Sequence, residues 1–232
     1  MACIYLIRHG QASFGEDDYD CLSKLGHQQA RQLGADLERR GIHFDHAIRG
    51  GMLRHQQTAD ACLEAMASSR LQNIEVNLAW NEYDHQNILG QLDPAYGTAQ
   101  GVKAYISQQP HPQQALEGLI GRSFDRWFDS QDNAGYVESW PAYQRRVKEA
   151  LQAIRGNGSG AKHIAVFTSG GPIALLLQHL LGVRPRDLMQ LNWTLINCGV
   201  SKLLSSPERV SVSSINEHSG FEGNNRHLIS YK

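Results

Sequence analysis

The sequence predicts an α/β fold: a single mostly parallel sheet with helices on both faces and a cap inserted in the chain. Two short apolar runs rich in β-branched and aromatic side chains, Ile4-Tyr5-Leu6-Ile7 and Ile164-Ala165-Val166-Phe167, read as buried strands. Strand-like and helix-like segments alternate behind the first of them, and successive βα units imply parallel strands with helices packed on the sheet. At 232 residues the chain suits one larger domain, residues 1–232, better than two independent ones.

The first strand ends at Arg8-His9-Gly10, where a glycine lets the backbone turn. A polar loop from Gln11 to Asp20 leads to Ser23, an N-cap for a helix from about Lys24 to Arg40 with Leu25, Ala30, Leu33 and Leu37 near helical spacing. Gly41 ends that helix. Phe44 to Ile48 reads as a second strand, Met52 to Ser68 as a second helix, and Glu75-Val76-Asn77 as a brief third strand. From about residue 80 to 136 the pattern loosens into a Gln-, Gly- and Pro-containing stretch with helical patches, which is taken as the cap insertion. Pro141 opens a helix to about Ile154, and Arg155 to Gly160 is a flexible connection. His163 to Thr168 is a strand, turned by Ser169-Gly170-Gly171-Pro172 into the helix of Ile173 to Leu181. Further strands are expected near Leu191 to Asn197, Ser201 to Leu204 and Val210 to Ile215, with an irregular polar tail from Asn216.

Composition narrows the function classes. A formal net charge of -1 gives no electrostatic reason to expect nucleic acid or an anionic membrane as partner, and a small phosphorylated substrate is the expected partner once the motifs below are considered. Cys3, Cys21, Cys62 and Cys198 follow no disulfide or metal-ligand spacing. Neither a metal nor a cofactor is expected. The N-terminal apolar stretch ends at Arg8, too soon for a signal peptide or membrane span, and a cytoplasmic location is expected.

Four segments end a strand or open a helix: Arg8-His9-Gly10, the helix start carrying Arg54, Glu82 in Trp80-Asn81-Glu82-Tyr83, and Ser169-Gly170-Gly171. In a parallel sheet such places converge at one edge. Two guanidinium groups and a helix N-terminus suit phosphate oxygens, and a neutral imidazole among them can attack phosphorus.

Taken in order, these segments resemble the histidine phosphatase superfamily, also called phosphoglycerate mutase-like. The likeness rests on Arg8-His9-Gly10, Leu22-Ser23-Lys24-Leu25-Gly26-His27-Gln28-Gln29-Ala30, Arg54 with Gln57-Thr58-Ala59, Glu82, and the late strand with Gly170-Gly171, over roughly residues 2 to 200. The resemblance implies that His9 is the nucleophile that becomes a phosphohistidine, that Arg8 and Arg54 hold the phosphoryl oxygens, and that Glu82 gives a proton to the leaving oxygen. It implies a metal-independent phosphatase on a small phosphate monoester, with phosphoglycerate mutase activity or a weakly active or silent phospholigand-binding module as alternatives.

Two positions depart from that pattern. The family usually has a histidine before the late Gly-Gly, and here the residue is Ser169, which donates one hydrogen bond and carries no charge. Gly50-Gly51 stand where the family often has Ser or Thr and Pro. Ser169 and Gly170 are therefore expected to bind phosphate through hydroxyl and backbone, with His85, Gln11 and Ser13 as auxiliary candidates. His27, His55, His163 and His179 are read as structural or solvent-facing, and Trp127, Phe128 and Trp140 as packing residues.

Overall fold

The computed structural model describes residues 1–13, 20–68, 71, 73–131, 135–156 and 160–231. Two stretches of the expected loops, residues 14–19 and 157–159, lie outside the described residues. The chain divides into two compact units, Met1–Glu82 with Glu149–Lys232, and Tyr83–Lys148.

In the first unit, strand β1 (Ala2–Arg8) is followed by helix α1 (Lys24–Arg39), β2 (His46–Arg49), α2 (Leu53–Glu64) and β3 (Glu75–Val76). The second unit holds α3 (His85–Gly90), α4 (Ala99–Ser107), α5 (Pro112–Phe128) and the beginning of α6 (Trp140–Gly156). The first unit then resumes with β4 (His163–Thr168), α7 (Gly170–Leu181), α8 (Leu188–Thr194), β5 (Val200–Ser205) and β6 (Val210–Glu217).

The six strands lie in the order β3-β2-β4-β1-β5-β6. The first four are parallel, as the βα succession predicts, whereas β5 runs antiparallel to β1 and β6 antiparallel to β5. Between β4 and β5 the chain passes through α7 and α8 and then turns at Cys198, which adopts φ 58, into β5.

Strand pleating sends alternate residues to opposite faces. Tyr5 and Ile7 of β1, Ala165 and Phe167 of β4 and Ala47 of β2 form one core with Ala30, Leu33 and Leu37 of α1 and Ala59 and Cys62 of α2. Ile4, Leu6, Ile164, Val166 and Ile48 point the other way and are equally buried. Burial on both faces is why the strand sequences are continuous apolar runs. Ser23 caps α1 as expected, its hydroxyl accepting from Gly26 N–H at 3.0 Å.

The run Leu191 to Asn197 is not a strand. Leu188–Thr194 is helical, and the spacing Leu188, Leu191, Leu195 is that of one helix face, a pattern a short apolar run shares with a strand. The tail beyond β6 contains two 3-10 turns, Ser219–Phe221 and Gly223–Leu228, that bury Phe221 and Leu228 in the core. Within the second unit, Tyr83, Phe124, Trp127, Phe128, Trp140 and Tyr143 form an edge-to-face and tilted aromatic cluster. This is packing, with Trp127 fully buried and its indole N–H given to Glu138 O at 2.9 Å.

Leu6 has no solvent exposure in the central strand. Leu6→Ala is expected to lower unfolding free energy by about 2–5 kcal/mol, read as a drop in urea midpoint without a change in slope.

Candidate functional site

The site is assembled at the carboxyl end of β1. Parallel pairing sets Arg8 opposite Thr168, and His9 N–H donates to Thr168 O at 2.9 Å, so Ser169 and the start of α7 fall beside the histidine. From the other side Cys198 N–H reaches the carbonyls of Arg8 and His9, and Asn197 Nδ2 donates to His9 O at 3.1 Å. Gly10 N–H donates to Thr58 Oγ1 of α2 at 3.0 Å. The glycine itself is needed for a close approach rather than for a special φ, because a Cβ at residue 10 would stand 2.5 Å from Gly26 O.

His9 is nearly buried, and its Nδ1 lies 2.7 Å from Gly10 O. A carbonyl only accepts, so the proton belongs on Nδ1 and the lone pair is left on Nε2. Burial, then the charges of Arg54 and Arg8 and the neighbouring His55, hold His9 well below the usual histidine pKa. The imidazole is therefore neutral at neutral pH, as a nucleophile must be.

Arg8 Nη1 donates to the carbonyls of Leu195 and Tyr231, which fix its guanidinium. Arg54, on the first turn of α2, is buried and its Nη1 meets Asp20 Oδ1 at 2.7 Å. Arg54 Nε is buried with no hydrogen-bond partner among the described residues. Asp20, which the sequence pattern did not single out, also accepts from Leu53 N–H at 2.7 Å and so caps α2. Glu82 Oε2 accepts from Gly171 N–H at 3.0 Å, which places its carboxyl at the N-terminus of α7. The Glu82 segment is tied to the end of β4 because Thr168 Oγ1 donates to Trp80 O at 2.5 Å.

Ser169 is the N-cap residue of α7, yet its side chain makes no capping bond. Its hydroxyl lies 2.7 Å from His55 Nε2, and both residues have no solvent exposure. His55 was expected to be structural or solvent-facing. It is fully buried, with its ring centroid 5.8 Å from that of His9. The adjacent Arg54 was the signal that could have found it. Burial and the charges of Arg54 and Arg49 push the pKa of His55 down to about 3.

Gln11 is part of the scaffold, taking Ser23 Oγ–H on its Oε1 at 2.9 Å and giving its N–H to Gln29 Oε1 at 2.8 Å. Ser13 N–H pairs with Cys21 O at 2.8 Å across the base of the loop. His85 is exposed at the first position of α3, in the second unit. Gly170 lies against Arg8, where a Cβ would stand 3.5 Å from Arg8 Nε. Among the described residues no group of three or more His, Cys, Asp or Glu is arranged to hold a metal ion, and no helix is long and apolar enough to cross a membrane.

Comparison with known proteins places the chain. The sequence profile of the histidine phosphatase superfamily (branch 1) matches residues 4–118 and 107–218. A 2,3-bisphosphoglycerate-dependent phosphoglycerate mutase of Mesorhizobium japonicum is 34% identical over 94 residues, 38% of this chain and 45% of that protein. The chain thus spans under half the length of that curated relative. Another protein of the same name, from Chelativorans sp., is 25% identical over 197 residues, 81% of this chain and 85% of its own. Among solved structures, phosphoglycerate mutase from Bacillus anthracis str. Sterne has a TM-score of 0.64 at 21% identity and 94% coverage of both chains. A mutant phosphoserine phosphatase from Entamoeba histolytica, in complex with phosphoserine, has a TM-score of 0.64 at 18% identity, covering 95% of this chain and 99% of that one. At these identities the two structures are likenesses of fold.

The two buried neutral histidines set a pH dependence. Below the ordinary histidine pKa of about 6.5 the unfolded chain binds protons that the folded chain refuses, so stability is full above that value and falls as pH drops. For His55 the fall continues to about pH 3, with a limiting slope of about 1.4 kcal/mol per pH unit for each group. Denaturant titrations from pH 7.5 to 4.5 are expected to show this decline, and His55→Gln to show a shallower one.

Proposed function

We propose that this chain, which belongs to the histidine phosphatase superfamily, is a metal-independent phosphatase acting on a small phosphate monoester through a phosphohistidine on His9. The observation that carries the reading is the state of His9: proton held on Nδ1 by Gly10 O, lone pair on Nε2, and two guanidinium groups near enough to depress its pKa.

In the first step His9 Nε2 attacks phosphorus, the P–N bond forms as the P–O ester bond breaks, and the leaving alkoxide takes a proton from the Glu82 carboxyl. Arg8 and Arg54 neutralise the phosphoryl oxygens, the unsatisfied Nε of Arg54 supplying one donor. In the second step water attacks phosphorus and passes a proton to the Glu82 carboxylate, the P–N bond breaks, and inorganic phosphate and neutral His9 are released. The placement of the Glu82 carboxyl at the start of α7 supports its role beside the transferred group. With charge supplied by arginines and the nucleophile by imidazole, neither step calls for a metal. A cytoplasmic location agrees with a small soluble phosphoester as substrate.

The curated relatives' name supports a second reading, a mutase that returns the phosphoryl group to substrate. The two separate on 2- and 3-phosphoglycerate: release of inorganic phosphate faster than interconversion is expected, and the reverse order would make the protein a mutase.

His9→Ala is expected to abolish acid-labile phosphoenzyme, and Glu82→Gln to slow turnover of a phosphomonoester by roughly a hundredfold or more without loss of folding. A wild-type protein that binds phosphate but never forms acid-labile phosphohistidine would be a binding module instead.

A further inference from the structure

The exchange of a histidine for Ser169 leaves an apparent gap in the phosphoryl site, and the structure shows what stands there. His55 comes from α2, one residue after Arg54, and brings its Nε2 to 2.7 Å from Ser169 Oγ. The ring fits only because residue 50 has no side chain: a Cβ on Gly50 would lie 2.2 Å from His55 Nδ1 and 2.7 Å from its Cε1. Both departures noted in the sequence, Gly50 and Ser169, thus touch the same imidazole.

We propose that His55 and Ser169 act as one hydrogen-bonding relay on the phosphoryl group, a second histidine delivered from a different element than the sequence pattern leads one to expect. The inference rests on the phosphatase reading above and names a positioning residue for it.

The direction of the relay follows from unsatisfied groups. His55 Nδ1 is buried with no partner among the described residues. A buried N–H left bare costs more than a bare ring lone pair, since orphaned donors are the rarer case. The proton therefore sits on Nε2, which donates to Ser169 Oγ. The serine oxygen does not cap α7 and takes its donor from His55, so the hydroxyl hydrogen is left to give to an anion beside His9. A donor that itself accepts a hydrogen bond is polarised and donates more strongly. Arg54, Arg49 and His9 surround His55, so the relay works uncharged and positive charge comes from the arginines.

The test is a double-mutant cycle on Ser169→Ala and His55→Leu, read by orthovanadate affinity and by the rate of acid-labile phosphate incorporation into the protein from p-nitrophenyl phosphate. Each single variant is expected to lose roughly ten- to a hundredfold in both, and the double variant no more than the weaker single, because each breaks the same chain. His55→Gln, which keeps an N–H donor, is expected to recover most of the loss, and His55→Ala takes the place of His55→Leu in the cycle should the leucine variant fail to fold. A purely packing role for His55 predicts the opposite order, with leucine tolerated better than glutamine, and that order would overturn the relay. So would losses that add in the double variant, or vanadate affinity unchanged by Ser169→Ala. If wild-type protein forms no phosphohistidine yet vanadate affinity shows the non-additive pattern, the phosphatase reading fails and the relay stands.

Discussion

Everything at this site depends on how the end of strand β1 is held between its two neighbours. His9 N–H is taken by Thr168 O on one side, and the carbonyls of Arg8 and His9 are taken by Cys198 N–H on the other. Both neighbours belong to the far half of the sequence, so a short Arg-His-Gly segment becomes rigid only when the sheet has closed around it. The hold is not free of strain: Cys198 accepts a left-handed backbone, a conformation costing about 1 kcal/mol for a residue with a side chain. Asn197, next to it, adds a side-chain bond to the same His9 carbonyl and takes Ser230 Oγ–H on its own Oδ1 at 2.8 Å. Gln29 joins Leu228 O and Ser230 Oγ to Gln11 N–H, so the tail and the loop after β1 share one network.

The electrostatics follow from that rigidity. Two guanidinium groups close to two buried imidazoles would be unworkable if the imidazoles were charged, and burial keeps both neutral. The arginines are fixed by different means, Arg8 by backbone carbonyls and Arg54 by the Asp20 carboxylate. Each guanidinium is thus held in place by contacts within the protein itself.

Much of this was legible in the sequence, and what was not has identifiable causes. Strand β4 was read to the residue and helix α1 to within one, because buried strands and capped amphipathic helices leave strong local periodicities. Leu191 to Asn197 was read as a strand although its first half closes the helix Leu188–Thr194, because seven residues are too few to separate the two periods. The antiparallel direction of β5 was hidden because a pattern of side chains reports that a strand exists, not which way it runs. Arg8, His9, Arg54 and Glu82 all lie in the first unit. His55 escaped notice because what defines it is spatial: Ser169 is distant in sequence, and Gly50 registers only as a missing side chain. Asp20 escaped for a similar reason, since a loop acid acquires meaning only through the helix end and the arginine it meets.

The tight fit of Gly50 against His55 also limits the order in which residues here can be exchanged. An alanine at position 50 collides with the ring as long as the ring is there, and a histidine at position 169 would have to share fully buried space with it. Added bulk at either position presses on His55, and at position 50 it also meets Asn81, whose Oδ1 would stand 2.8 Å from the new Cβ. The three positions are therefore coupled: the cost of added bulk at 50 or 169 depends on whether the His55 ring is present. Single-site scans across positions 50, 55 and 169 will consequently understate what combinations permit.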